Sequence, residues 1–239
     1  MARLWLYLRP VEDIPPRATA DVDLGIDRRG LRLTGTTERV RPLLEAQQYT
    51  AFPGDEGFRF RKSFGDGEAL LVDVFVAKGA SREEPPVLEK GVVTLAAPGL
   101  TYALARHPHF VDVEFVDEDT TTALELPLPT LDAAFVLKGA LVESGVRTRP
   151  DRRRRDRVDA IMLAAACLTD DEALEALRQA QNKEARRALR WLAECVTHAE
   201  SPVAKAIGDY LHDEHELPGG ADWAVEIAAA LTSESRARR

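Results

Sequence analysis

The run Ala69-Leu-Leu-Val-Asp-Val-Phe-Val76 constrains this chain more than any other stretch. It is apolar at successive positions, as an interior strand covered on both faces is. A carboxylate, Asp73, stands in its middle. An ionised carboxylate there is costly unless it is paired, hydrogen-bonded or bound to metal, so the fold has to bring a compensating group to it. The strand reads as the return arm of a β-hairpin. Phe58, Phe60 and Lys62 alternate with Arg59, Arg61 and Ser63, and Gly65-Asp66-Gly67 supplies the turn. One compensator is therefore a salt bridge to Arg59 or Arg61 across the hairpin.

A second compensator comes from the stretch Arg17 to Asp27. Val22, Leu24 and Ile26 alternate with Asp21, Asp23 and Gly25, so a strand here sends the apolar residues to one face and both carboxylates to the other. Two adjacent anions repel and titrate as a pair unless a cation lies between them, which points to a divalent metal. Asp-x-Asp also occurs in turns and at helix starts. With Asp73 beside Asp21 and Asp23, three carboxylates from two neighbouring strands surround one or two magnesium ions.

Composition narrows the partners. The 239 residues suffice for one large domain or two small ones, and the net charge of −8 argues against a general nucleic-acid coat protein while leaving room for a local basic groove. The only cysteines, Cys167 and Cys195, both fall in helical patterns, so no disulfide framework is expected and a reducing cytoplasm fits. No apolar run reaches membrane-spanning length, and the Leu-Trp-Leu-Tyr-Leu run near the start is too short for a signal sequence. A soluble, cytoplasmic protein without a membrane role is the expectation.

Residues 2–9 read as a helix stopped by Pro10, and residues 36–48 show helical spacing. Residues 79–90 read as a polar loop, 91–96 as a short strand, and Pro98-Gly99 opens a helix through Arg106. Residues 110–115 and 120–126 form a second hairpin around Asp117-Glu118-Asp119. The proline in His107-Pro108-His109 keeps the two rings off one helix face, which favours a surface loop over a metal site. Beyond Pro127 and Pro129 the pattern is helical, with helices expected at 131–144, 155–168, 170–180, 183–198, 202–213 and 222–232. Lys138 occupies the apolar stripe of the first of these, where it either snorkels to the surface or reaches an anion such as a phosphate. Asp156 and Asp159, three apart, share a helix face and can orient Lys138 or an arginine. The basic run Arg147 to Arg157 reads as a solvated face, or as a hold on an RNA backbone.

The series Arg17-x-Thr19-x-Asp21-Val22-Asp23-Leu24, Leu71-Val72-Asp73-Val74, Lys138, and Arg155-Asp156-x-x-Asp159 resembles the AbiEii-like and related minimal nucleotidyltransferases of the polymerase-beta-type superfamily. The likeness spans roughly residues 1–168. It implies a nucleotidyltransferase-like mixed β-sheet with flanking helices over residues 1–128, and with the helical pattern over 129–235 read as a C-terminal bundle and 236–239 as a disordered tail the expected fold class is α+β. Matched motif by motif, the resemblance gives Asp21, Asp23 and Asp73 the metals and the catalysis, and gives Lys138, Asp156, Asp159 and Thr19 nucleotide binding. It implies Mg2+ or Mn2+ as cofactor and an NTP such as ATP as substrate. Family members also carry a Gly-Gly or Gly-Ser phosphate cradle upstream of Asp-x-Asp. This sequence has no such element, and Met1-Ala2-Arg3-Leu4-Trp5 resembles the helix that follows it.

The expected function is transfer of NMP from an NTP to an RNA (tRNA) or protein acceptor, as the toxin of a toxin and antitoxin pair whose antitoxin is a protein partner. Such a reaction needs in-line positioning and cations on the attacking and leaving oxygens more than covalent help from protein. Asp73 is placed to accept the proton of the attacking hydroxyl. Two alternatives stand beside it: a catalytically inactive module of the same fold that binds RNA or a protein through Arg152 to Arg157, and a nucleotidyltransferase acting on a small molecule such as an antibiotic.

Overall fold

Strand β4 (Ala69–Ala77) lies at the centre of the first part of the molecule, and its neighbours arrange themselves along it. The computed structural model describes residues 21–26, 40–52, 58–63, 69–77, 87–88, 92–93, 95–117, 120–145, 149–215 and 218–236. The helix expected at 2–9, Thr19, the hairpin turn 65–67 and residues 237–239 lie outside the described residues.

β1 (Asp21–Ile26) pairs with β4 in parallel, and β3 (Arg59–Ser63) pairs with it antiparallel as the arm of the expected hairpin. Parallel partners need a crossover, and the connection between β1 and β4 holds helix α1 (Val40–Ala46), β2 (Thr50–Ala51) and β3. β2 extends the sheet beyond β3, and β7 (Leu95–Ala97) runs parallel to the end of β4. A nearly unbroken apolar sequence suits β4 to this position, and Val72, Asp73 and Val74 are all buried. β5 (Val87–Leu88) and β6 (Val92–Val93) form a separate short ladder. Residues 87 and 88 thus leave the loop expected over 79–90. Pro85-Pro86 disguises this pairing, because proline is tolerated just ahead of a strand where no ladder donor is needed.

The chain divides into two compact units, Pro16–Thr101 and Tyr102–Arg239, the division falling inside helix α2 (Leu100–Leu104). The second unit contains the two-stranded antiparallel ribbon β8 (His109–Asp117) and β9 (Thr120–Leu128), and then helices α3 (Leu131–Ser144), α4 (Pro150–Leu168), α5 (Asp171–Gln179), α6 (Lys183–Cys195), α7 (Pro202–His215) and α8 (Gly220–Arg236). The described architecture is therefore mixed α and β, with small sheets and a larger helical part. Helix α4 starts at Pro150, earlier than the expected residue 155, and Arg236 ends α8, so it does not belong to a tail. No described helix is long and apolar enough to cross a membrane.

Local signals set the helix ends. Gly145 closes α3 in the left-handed region, φ 66°, and its N–H bonds the Val142 carbonyl. Asp170 and Asn182 cap α5 and α6 by accepting the N–H groups of Ala173 and Glu184. Phe135, Ile161, Met162, Leu177, Leu192, Ile207 and Leu231 belong to one buried cluster.

Helices α3 and α6 approach closely at Gly139, where a Cβ would lie 2.7 Å from the Ala188 Cβ and 3.2 Å from its Cα. Alanine is the better helix former by about 1 kcal/mol, but overpacking costs about 1–3 kcal/mol, so sterics decide the sign. Gly139→Ala is expected to lower the thermal midpoint, and Ala188→Gly in the same chain to recover part of the loss beyond its own cost. Calorimetric melts of the two single variants and the double variant measure this. A Gly139→Ala protein as stable as the parent contradicts the close approach.

Candidate functional site

The sheet of the first unit has two unlike faces. Phe60, Val72 and Val74, at alternating positions in β3 and β4, are 1, 6 and 0 % exposed and form its apolar side. The alternate positions hold Arg59, Arg61, Leu71 and Asp73. By register, Asp23 lies opposite Asp73 and Asp21 opposite Leu71, so backbone positions 21 and 23 belong to this second face. One row of the sheet therefore runs Arg59, Asp73, Asp23 across β3, β4 and β1. The side chains of Asp21 and Asp23, like Thr19, lie outside the described residues.

Asp73 is compensated by Arg59. Nε donates to Oδ1 and Nη2 to Oδ2, both at 2.6 Å, with side chains 18 and 9 % exposed. This is the bidentate fork that makes arginine the best partner for a carboxylate. Of the two arginines on the hairpin, it is the one in direct register with Asp73 that takes the role. Arg61 Nε is buried without a hydrogen-bond partner among the described residues. Carboxylate oxygens in such a row suit a hard divalent ion such as Mg2+ or Mn2+. At Asp73 such an ion would share the carboxylate with the Arg59 guanidinium, whose positive charge opposes it. Among the described residues no group of three or more His, Cys, Asp or Glu is assembled for a metal.

In the second unit, Lys138 on α3 sits between Asp156 and Asp159 on α4, 3.1 Å from Oδ1 of the first and Oδ2 of the second. The i, i+3 spacing puts both carboxylates on one helix face, and the group they orient is the lysine. Both aspartates are buried, and the lysine side chain is about a third exposed at 32 %. Burial alone would push the ammonium pKa down, but Asp159 and then Asp156 more than offset it, so the group stays raised above its ordinary value. A cavity of about 140 Å³ lies against Asp156, lined also by Leu141, Val142, Gly145, Arg153 and Arg157. Ligand pockets run to roughly 300–1,000 Å³, so this cavity alone is too small for a nucleotide.

A third polar cluster in the same unit escaped the sequence. Tyr102 donates its hydroxyl to Asp132 Oδ2 at 2.7 Å, and Arg106 lies 3.0 Å from the same oxygen. The Tyr102 N–H bonds Glu184 on α6. Asp132 is 1 % exposed. Burial, and then the bond to Asp132, raises the Tyr102 pKa far above its ordinary value. An aspartate in the first turn of a helix reads from sequence as complementing the helix dipole, and nothing local reveals partners some thirty positions away. His107 and His109 are exposed. The basic run is partly consumed: Arg149 pairs with Asp151, and Arg154 bonds Asp213 and the Ala206 carbonyl and lies over the Tyr210 ring. Arg152 and Arg155 remain exposed.

No protein-family model, curated protein or solved structure matches the chain.

Removing Lys138 leaves two buried carboxylates facing each other, a loss of about 3–5 kcal/mol for a fully buried pair and of about 3 kcal/mol with this degree of exposure. Lys138→Met is expected to show that loss in urea melts at pH 7. A lysine whose pKa is raised by folding stabilises fully below its unfolded pKa, about 10.4, and ceases to as pH climbs through the folded value. The gap between parent and variant should therefore narrow above about pH 10.5. A variant equal to the parent at pH 7 contradicts the arrangement. Tyr102→Phe strips Asp132 of a buried donor and is expected to cost about 1–3 kcal/mol in the same melts. No measurable cost would mean that Arg106 alone satisfies the carboxylate.

Proposed function

We propose that the chain is a metal-dependent nucleotidyltransferase that moves NMP from an NTP to an RNA or protein acceptor, as its resemblance to the AbiEii-like enzymes implies. The observation that carries this reading is the register of β1 on β4. In it backbone position 23, the second aspartate of Asp-x-Asp, is the direct partner of position 73. Asp21, Asp23 and Asp73 would hold Mg2+ or Mn2+, which neutralises charge on the phosphate oxygens. Asp73, buried on the central strand, accepts the proton of the attacking hydroxyl as the hydroxyl oxygen bonds the α-phosphorus and the bond to the departing pyrophosphate breaks. Lys138 has three ammonium donors and gives two to Asp156 and Asp159, so one is left for a phosphate oxygen. On this reading the transfer disables an acceptor in the cell, and a partner protein acts as antitoxin.

One observation favours a second reading, an inactive module of the same fold. Arg59 engages both oxygens of Asp73, and a permanent guanidinium there sets a positive charge against any metal. The exposed Arg152 and Arg155 would then contact RNA or a protein partner.

Labelled NTPs with Mg2+ or Mn2+, tRNA and total protein separate the two. The enzyme is expected to label a macromolecule, and Asp73→Asn, with an unchanged circular dichroism spectrum, to lower the rate by about 10²–10⁴. Absence of label from any NTP, together with no metal-dependent heat of NTP binding, overturns the enzymatic reading in favour of the module.

A further inference from the structure

Arg59 and a divalent ion call on the same two oxygens. Arg59 engages Oδ1 and Oδ2 of Asp73 together, and although each oxygen keeps a further lone pair, an ion that approaches it meets a positive charge at close range. Asp73 has cross-strand partners of opposite sign, Arg59 on β3 and Asp23 on β1. A cation recruited by Asp23 thus competes with Arg59 for the carboxylate between them. The two side chains differ in freedom. Asp73 is fixed in the central strand and 9 % exposed, whereas Arg59 lies on the neighbouring arm, is twice as exposed, and has a long stem with which to turn toward solvent.

We propose that Arg59 is a positioning residue that competes with the divalent ion for Asp73, neutralising the carboxylate in the metal-free protein and releasing it when the ion binds. The proposal rests on the nucleotidyltransferase reading above. It makes the pair a threshold, since metal affinity is reduced by the strength of the fork and the metal-free sheet is spared a bare buried charge. A purely structural salt bridge would behave otherwise, because weakening it would loosen the sheet and leave metal binding the same or poorer.

Mn2+ titrations of the full chain without nucleotide, followed by electron paramagnetic resonance of the free ion and by calorimetry, test this. Arg59→Met is expected to bind Mn2+ about tenfold tighter than the parent, that being what a charge-assisted bond is worth. Arg59→Lys, which keeps the charge but not the fork, should fall between them, and Asp73→Asn should lose the binding. In metal-free buffer the melting temperature of Arg59→Met should be lower than the parent's, with Mn2+ restoring more of it than it adds to the parent. If Asp73→Asn loses Mn2+ while both Arg59 variants bind no tighter than the parent, the competition is refuted and the nucleotidyltransferase reading stands. If neither parent nor Arg59 variants bind Mn2+, that reading falls and the competition with it. Should Arg59→Met fail to fold, Arg59→Lys decides by the same comparison.

Discussion

A carboxylate buried in the middle of a central strand has to be neutralised, and the first unit is built around that requirement at Asp73. The apolar residues flanking it on β4 make the strand central, centrality buries the carboxylate, and burial makes an unpaired charge prohibitive. The hairpin answers locally. Arg59 lies directly across from Asp73 in the antiparallel ladder, and its guanidinium matches both oxygens. The parallel partner β1 brings the Asp23 position from the other side. Hydrogen-bond register thus makes Arg59 and backbone position 23 the cross-strand partners of the same buried group.

The second unit handles its buried charges on the same terms. Lys138 lies between two aspartates one helical turn apart, and Asp132 is held by Tyr102 and Arg106. In each case the partners come from different helices or from the segment ahead of α3, so the polar contacts fix how those elements meet while the apolar cluster supplies the burial. The pairings also restrain the chemistry. An ammonium flanked by two carboxylates stays protonated at neutral pH and suits an electrostatic contact, not a nucleophile or base.

Much of this was legible in the chain because the signals are local and periodic. Alternation placed β1, β3 and β4, the interior run placed β4 at the centre, and the i, i+3 spacing put Asp156 and Asp159 on one face. The choice of Arg59 over Arg61 was not legible, because it depends on ladder register, which a hairpin turn sets only once its length and type are fixed. The start of α4 is also signalled locally. Pro150 followed by Asp151 is a helix-opening pair, but the arginines after it read as a solvated run. The strand at Val87 and Leu88 was concealed by the prolines ahead of it, and the Tyr102 cluster joins residues that no sequence pattern connects.

Asp73 is neutralised by Arg59, and on the proposed reading it exchanges that partner for a divalent ion. Anomalous scattering from crystals grown with Mn2+ reads this most directly. A manganese peak at direct coordination distance from an Asp73 oxygen is expected, with the Arg59 guanidinium turned away from it. A structure at saturating Mn2+ with no peak at Asp73 and the Arg59 fork intact would contradict it.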